Sequence, residues 1–174
     1  GASVGLIEFS YATGAVQGFE IIGGLVGEVG VGTSPGVVRQ SYATGAVTYS
    51  RNSGPRYVGG LIGYAGTENV SDSYWDSFTT GIAVGVDGSD GTTSLVNVNA
   101  VTSDPTQSAA ANYAFNPAAW ANFRVGSGAN SSDIDITGGQ DLNWRQYTGN
   151  TYPLLKPLLI AATLSGTSLL ASVT

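Results

Sequence analysis

The first half of the chain consists of short apolar runs separated by glycine-containing turns. In one stretch the runs occupy residues 37–43, 46–49 and 57–65, with turns at 44–45 and 53–55 between them. Runs of this length bounded by Gly, Pro and Ser are typical of β-strands. The pattern therefore predicts a unit of strand, turn, strand, turn and strand.

This unit repeats along the chain. The pentapeptide SYATG occurs at residues 10–14 and again at 41–45, and a related SYWDS occupies 73–77. A second signature, GGLVG at 23–27, returns as GGLIG at 59–63. A unit this small cannot bury its own apolar side, so we expect the repeats to stack at the strand spacing of about 4.8 Å.

Alignment of the repeats places like residues above one another. The expected ladders consist of Tyr11, Tyr42 and Tyr74; of Ser10, Ser41 and Ser73; and of Leu25 and Leu61. We expect Gly14 and Gly45 to turn corners with positive φ, and the glycine pairs 23–24 and 59–60 to allow close backbone approach. A phosphate-binding loop at 23–30 is disfavoured, because neither a Lys-Ser/Thr pair nor a helical pattern follows it.

The composition favours an all-β protein and excludes several classes of enzyme. Only 10% of the residues are charged and 26 are Gly, while 42% are hydrophobic, so the chain is expected to pack. It has no His and no Cys. This excludes His-assisted serine and cysteine proteases, thioredoxin-like enzymes, and zinc and haem enzymes. A net charge of −6 offers no basic surface to a nucleic acid, so none is expected as a partner.

The repeated motifs carry a family resemblance. SYATG followed by an apolar, Gly-containing stretch and then GGLVG or GGLIG resembles the GLUG motif of bacterial filamentous-haemagglutinin-like exoproteins and of non-catalytic parts of IgA-peptidase-like surface proteins. The resemblance covers roughly residues 5–77. It implies a secreted or surface-displayed adhesin-type protein with β-solenoid architecture, and it brings no catalytic residues.

We therefore expect an all-β fold, a right-handed parallel β-solenoid of about three rungs with a C-terminal capping module. The handedness is taken from the rule for parallel crossovers. Residues 1–77 are assigned to the solenoid repeats, 78–157 to the capping module, and 158–174 to an apolar β-like tail or a linker to a following module. The family often closes its array with SYWD, a Thr-Gly segment, a variable loop and then Trp and Tyr-Pro-Leu-Leu, which Trp144 and residues 152–155 match. A cap is needed because an open last rung leaves unpaired strand edges.

Aromatic residues dominate the predicted capping module. Residues 108–123 contain its most helix-like pattern, with a short helix expected at 117–123 that begins with proline. The expected core of the module consists of Phe115, Trp120, Phe123 and Trp144. An exposed aromatic platform for a sugar is the alternative, with Trp75 and Trp120 as candidate ligand-binding residues.

The C-terminal tail is uncharged and approaches the length of a membrane span. However, Ser and Thr occur throughout residues 157–174 and Gly166 interrupts them. A membrane span needs nearly continuous apolar residues, so none is expected. Two short strands, around 158–164 and 168–173, are expected instead.

The carboxylates leave metal binding and catalysis open as alternatives. Asp87 and Asp90 resemble an oxygen-rich calcium loop without its standard spacing, so a hairpin turn built on Asp-Gly is favoured and calcium is a weak candidate. No other cofactor is expected. Asp72 and Asp76 are the best candidates for the acid and base of a glycosidase, but nothing in the sequence fixes their separation. The chain is therefore expected not to be an enzyme.

The leading functional hypothesis is a non-enzymatic extracellular adhesin or stalk segment. It would attach to a glycan or protein on a host or bacterial surface. Recognition is expected in inserted loops, with 33–36 and 51–56 as the best candidates. Arg39, Arg51 and Arg56 are weak candidates for an anion-binding role, against a solvated loop.

Two alternative functions remain. One is a self-assembling subunit of an extracellular filament, in which copies of the chain add strands through an open edge at 5–12 and the tail at 158–174. The other is a polysaccharide-binding or polysaccharide-processing β-helix, which requires a groove lined by Asp and Arg.

Overall fold

The computed structural model describes residues 2–3, 5–30, 34–50, 57–66, 68–123, 134–135, 143–159, 163–165 and 168–170. Its regular structure is mostly short β-strands. In chain order these are β1 (Ala2–Ser3), β2 (Leu6–Glu8), β3 (Tyr11–Ala12), β4 (Val16–Gly18), β5 (Ile21–Gly23), β6 (Val26–Val29), β7 (Gly36–Arg39), β8 (Tyr42–Ala43), β9 (Val47–Tyr49), β10 (Tyr57–Gly59), β11 (Ile62–Ala65), β12 (Glu68–Asp76), β13 (Val86–Ser89), β14 (Ser94–Val101), β15 (Ile134–Asp135), β16 (Trp144–Arg145), β17 (Leu154–Leu155), β18 (Thr163–Ser165) and β19 (Ser168–Leu170).

Helical structure among the described residues is brief. It consists of one α-helical turn, α1 (Ser77–Thr80), and of 3-10 turns at Pro105–Gln107, Pro117–Trp120 and Lys156–Leu158. The prediction of a mostly β protein is confirmed. The short helix predicted at 117–123 is instead a single 3-10 turn, Pro117–Trp120; Asn116 Oδ1 accepts from Ala118 N at its start, and Trp120 at its end is fully buried.

Strands about one repeat apart pair in parallel. β2, β7, β12 and β14 lie side by side, and this set is called the main ladder below; β3 and β8 continue the same pairing toward β12. A second sheet has the order β1, β6, β11, β13 and is also parallel. Two smaller parallel pairs join β4 with β9 and β5 with β10. Among the described residues, none of these sheets closes or curls.

The main hydrophobic core lies between the main ladder and the second sheet. Val38 and Val70 point inward from the main ladder and have no exposed surface. They pack in one cluster with Val29 and Ile62 of the second sheet and with Trp75 at the end of β12. The apolar side that one repeat leaves open is thus covered by residues of other repeats.

The predicted apolar runs are divided by bends. The run 37–43 is interrupted at Gln40, whose φ is 47°, and Phe9, Asp72 and Asn97 have φ values of 46°, 47° and 55°. The register places these four residues opposite one another in successive layers. Positive φ is uncommon outside glycine, so the sequence carries little signal for this repeated bend.

Glycines allow close approach of the backbone rather than positive φ at the repeated corners. Gly14 and Gly45 are not among the residues with positive φ, so that prediction is wrong. A Cβ added at Gly45 would lie 1.9 Å from the carbonyl oxygen of Gly14. At Gly23 and Gly59 an added Cβ would lie 1.9 and 1.8 Å from a carbonyl oxygen. These last two close contacts agree with the predicted role of the two glycine pairs.

The parallel pairing continues past the predicted boundary at residue 77. β13 pairs in parallel with β11, and β14 with β12, so both extend the sheets formed by the repeats. Downstream, β15 to β17 form a separate small sheet, and β18 pairs antiparallel with β19. The last pair overlaps the two strands expected around 158–164 and 168–173, but β18 begins only at Thr163, and Lys156–Leu158 is a 3-10 turn. No helix in the described part of the chain is long and apolar enough to cross a membrane.

Candidate functional site

The serine ladder joins successive repeats. Ser10 N donates to Ser41 Oγ at 3.1 Å, and Ser41 N donates to Ser73 Oγ at 3.3 Å. Each hydroxyl in turn donates to the carbonyl oxygen two residues earlier, at 2.8 to 2.9 Å. Each serine therefore bridges the bend in its own layer, and Ser41 and Ser73 also accept a hydrogen bond from the preceding layer, which explains why serine recurs at this position.

The tyrosine and leucine ladders lie in the register that the repeats predict. Tyr11 lies opposite Tyr42, and Tyr42 lies opposite Tyr74. The rings of Tyr11 and Tyr42 stack with centroids 5.3 Å apart and planes 8° apart. Leu25 N donates to the carbonyl oxygen of Leu61 at 2.9 Å. Identical side chains thus repeat along the direction of strand pairing.

An aromatic cluster packs against the side of the tyrosine ladder. Trp120, Phe123 and Trp144 are fully buried, and Phe115 is partly buried beside them. This placement agrees with the core predicted for the module. Trp120 offers no surface to a sugar, so the alternative of an exposed platform at this residue is wrong.

The aromatic cluster lies along the ladder and not over its last strand. Trp144 contacts both Tyr11 and Tyr42, while Trp120 contacts both Tyr42 and Tyr74. These three tyrosines belong to successive layers, so the part of the chain that carries the aromatic cluster packs along the side of the ladder and is called the flanking module below. The tyrosine rings of successive layers form a continuous apolar strip, and the aromatic cluster covers that strip.

Hydrogen bonds hold the flanking module in place. Tyr42 Oη donates to the carbonyl oxygen of Pro153 at 2.6 Å, and Asn122 N donates to Tyr74 Oη at 3.0 Å. Burial raises the pKa of both tyrosine hydroxyls above the ordinary value. For Tyr42 the neighbouring Tyr11 and Tyr152 hydroxyls raise the pKa further. The two groups are therefore neutral parts of the packing.

Asp72 and Asp76 engage separate partners. Asp76 is fully buried; its Oδ1 accepts from Phe78 N at 2.9 Å and its Oδ2 from Tyr152 Oη at 2.5 Å. Asp72 Oδ1 instead accepts from Asn97 Nδ2 at 2.8 Å. Asp76 thus caps α1 and holds the flanking module, and burial together with its carboxylate raises the pKa of Tyr152. The geometry gives the carboxylates two structural roles rather than one shared cleft.

Asp87 and Asp90 also bind backbone groups. Asp87 Oδ2 accepts from Val58 N at 2.8 Å, and Asp90 Oδ1 accepts from Thr92 N at 2.9 Å. The predicted hairpin is wrong, because Asp87 lies inside β13, and β13 and β14 pair with different strands. Within the described ranges, no group of three His, Cys, Asp or Glu residues is placed to hold a metal ion.

The arginine and loop candidates are only partly described. Arg39 Nε lies 2.7 Å from Glu8 Oε1 of the neighbouring strand, and about half of the Arg39 side chain is exposed. This ion pair crosses the main ladder. Arg51, Arg56 and the loop at 51–56 lie outside the described residues, and the loop at 33–36 is described only from residue 34.

Trp75 has a structural role beneath the last strands. Its indole occupies the space beside two glycines: a Cβ added at Gly60 or Gly85 would lie 2.3 or 2.5 Å from the ring. Its Nε1 donates to the carbonyl oxygen of Ile82 at 3.0 Å. The ring is 8% exposed. It is therefore a wall of a pocket rather than a free stacking surface.

The open end of the main ladder is a site that sequence reasoning missed. A pocket of about 360 Å³ lies there, lined by residues that include Trp75, Val84, Leu95 and Val98. This surface, together with the outer edge of β14, is called the ladder end below. Val84, Leu95 and Val96 are 48 to 50% exposed. Its sequence signal is the alternating segment SLVNVNAV, which carries neither Lys nor Pro.

No protein-family model matches the sequence, and no curated protein or solved structure matches it. The resemblance to the GLUG motif thus depends on the repeated SYATG and GGLVG or GGLIG segments themselves.

Proposed function

We propose that this chain is a β-solenoid segment of a non-enzymatic extracellular adhesin or stalk, secreted or displayed on a cell surface. The observation that carries the proposal is the register of the repeats: Tyr11, Tyr42 and Tyr74 lie opposite one another in successive parallel strands. In the proposed architecture each repeat is one right-handed rung, in accordance with the rule for parallel crossovers.

Stiffness along the stack supports a stalk role. Backbone pairing, the serine ladder and the core shared between repeats all join one layer to the next. In a repeat protein, stability is approximately the sum of each unit and its interfaces with its neighbours. Adding repeats therefore lengthens such a segment without a new fold, which suits a spacer that holds a binding surface away from a cell.

Exposed side chains at the turns support a recognition role. Phe19, in the turn between β4 and β5, is 67% exposed, and Tyr49, at the end of β9, is 46% exposed. Loops on a rigid scaffold commonly carry recognition. In the proposal, the turns and the loops at 33–36 and 51–56 contact a glycan or protein on a host or bacterial surface.

A binding assay tests this function. Fluorescently labelled chain is applied to epithelial cells, bacterial cells and immobilised glycans, with an unrelated β protein of similar charge as the background. We expect saturable retention on at least one surface. The single variants Arg51→Ala and Arg56→Ala should each reduce retention, whereas Arg145→Ala, a matched loss of one cation elsewhere, should not. Retention equal to that of the unrelated protein on every surface contradicts the proposal.

A further inference from the structure

Among the described residues, the main ladder ends in β14, and one edge of that strand is paired only near its C-terminal end. In the described part of the chain, β14 pairs with β12 alone. Beyond its other edge, the bridge of Thr102 to Tyr113 and the bond from Asn112 Nδ2 to the carbonyl oxygen of Ala100 cover only its C-terminal end. Residues 94–99 therefore present backbone N–H and C=O groups that a further strand can pair with.

The bend in β14 does not prevent such pairing. Asn97 has a φ of 55°, which differs from ideal strand geometry. Asp72 has a φ of 47° at the equivalent position of β12, and β12 is paired on both of its sides. The same bend is thus compatible with continued parallel pairing in this ladder.

Apolar side chains accompany the free edge. Leu95 and Val96 are 49% and 50% exposed, and Leu95 lines the pocket of about 360 Å³ with Val84, Trp75 and Val98. Natural edge strands are commonly protected by Lys, Pro or a covering element, and the sequence SLVNVNAV has neither residue. A strand edge beside an apolar pocket is the arrangement that binds an extended peptide by strand addition.

The charged residues of the segment 57–123, which contains β14, are all acidic. No Lys or Arg occurs between Arg56 and Arg124, while six of the twelve acidic residues do. Asp72 is bonded to Asn97 of β14, Asp90 lies in the turn that leads into β14, and Asp104 follows its end. Complementary charge steers and orients a partner, so a strand added here is favoured if it carries Lys or Arg.

None of the described strands of this chain both carries a basic residue and has an edge available for such pairing. Arg39 in β7 and Arg145 in β16 are the basic residues of the described strands, and both strands are paired on both sides. We propose that the ladder end receives an extended segment of a partner polypeptide in which apolar residues alternate with Lys or Arg. The apolar side chains enter the pocket at Leu95 and Trp75, and the basic ones face the carboxylates.

A synthetic peptide of about six residues that alternates Val with Lys tests this proposal directly. Binding of the labelled peptide to the full chain is measured by fluorescence anisotropy. We expect saturable binding, and we expect a peptide with Glu in place of Lys to bind about tenfold or more weakly because it meets like charges. Hydrogen exchange should show new protection at residues 94–99 when the Lys peptide is bound.

Matched variants locate the interaction. Leu95→Lys should weaken binding of the Lys peptide about tenfold or more, since it puts a charge into the apolar pocket. Phe19→Lys makes the same change at a residue that is 67% exposed elsewhere, and it should leave the affinity unchanged. Asp72→Asn, which keeps the shape and tolerates positive φ, should weaken binding and reduce its dependence on salt. Circular dichroism verifies that each variant is folded.

Several outcomes overturn the proposal. These are the absence of saturable binding, equal affinity for the Lys and Glu peptides, equal affinity of wild type and Leu95→Lys, and protection that lies only outside 94–99. Sedimentation of the chain without peptide tests whether a second copy of the chain occupies the ladder end. Self-association that Leu95→Lys abolishes would identify a second copy as the occupant and would overturn the proposal of a basic partner. Peptide binding at the ladder end does not require the adhesin role, so the peptide experiment and the surface-retention experiment can each fail without affecting the other.

Discussion

Serine at the first position of SYATG is placed to stabilise two layers at once. Ser41 has no exposed surface; its Oγ donates to the carbonyl oxygen of Arg39 and accepts from Ser10 N. The recurrence of serine at residues 10 and 41 therefore has a physical cause that the sequence alone does not reveal. The ladders themselves were predictable, because equal residues at equal spacing can align in only one register.

We predict that Ser41→Ala destabilises the chain by about 1 to 3 kcal/mol, because it removes two part-buried hydrogen bonds, from Ser10 N and to the carbonyl oxygen of Arg39. The free energy of unfolding is measured in urea. Ser50→Ala is the matched control, since Ser50 Oγ only accepts an exposed hydrogen bond from Gln17. An equal effect of the two substitutions argues against the bridging role of Ser41.

The glycine pairs lead to a second prediction at the residue scale. Gly59→Ala should cost more than about 3 kcal/mol, because its Cβ would lie 1.8 Å from the carbonyl oxygen of Ile62 and the backbone would have to move. Gly14→Ala, where no atom lies within 4 Å of the added Cβ, should have little effect. Thermal unfolding compares the two variants. Similar melting temperatures for both would contradict the packing described here.

At the scale of elements, the aromatic composition of the flanking module was predictable and its position along the ladder was not. Its aromatic residues were predictable as a core, since Trp and Phe in a chain with few charges pack together. The position of these aromatic residues relative to the layers was not predictable, because residues 78–157 carry no repeat that aligns them with a particular layer. The contact of Trp144 with Tyr11 and Tyr42 is formed only when the chain folds back along the ladder.

The buried tyrosines of this interface predict a loss of stability at alkaline pH. The pKa values of Tyr42 and Tyr152 are raised in the folded chain, chiefly by burial. The stability that the two neutral hydroxyls contribute is therefore fully present below the pKa of an unfolded tyrosine, about 10. It is lost as the pH rises through the pKa values of the folded chain. Urea unfolding measured from pH 8 to 12 should show stability falling above about pH 10.

Tyr42→Phe provides the control for this prediction. It removes one raised titration, so the decline of stability above about pH 10 should become shallower. It also removes the hydrogen bond to the carbonyl oxygen of Pro153, which lowers stability at pH 8 by about 0.5 to 1.5 kcal/mol. A decline of the same steepness in both proteins would show that the Tyr42 hydroxyl does not contribute.

At the scale of the whole molecule, the order of parallel layers was predictable and its ending was not. The repeats specify β2, β7 and β12, which lie about one repeat apart. β14 joins the same ladder without a SYATG motif, and it presents an edge with Leu95 and Val96 exposed. β14 joins the ladder through backbone hydrogen bonds, which require no particular side chains. Its addition to the ladder is therefore indicated in the sequence only by a weak alternating pattern.

The measurement that tests the stacking of repeats most directly is a disulfide cross-link, because the chain has no cysteine of its own. Gln17 lies opposite Thr48 in the parallel pair of β4 and β9, and both are exposed. Adjacent strands lie about 4.8 Å apart, within the Cα range of a disulfide. Gln17→Cys with Thr48→Cys should therefore form an intramolecular bond on mild oxidation.

The control shifts the register by one residue. In Gln17→Cys with Tyr49→Cys the two side chains point to opposite faces of the sheet, so cross-linking should be slow. Non-reducing electrophoresis and mass spectrometry of the oxidised variants give the result. Rapid closure of the first pair and not of the second is the outcome that in-register parallel stacking predicts. Equal rates, or faster closure of the shifted pair, would contradict it.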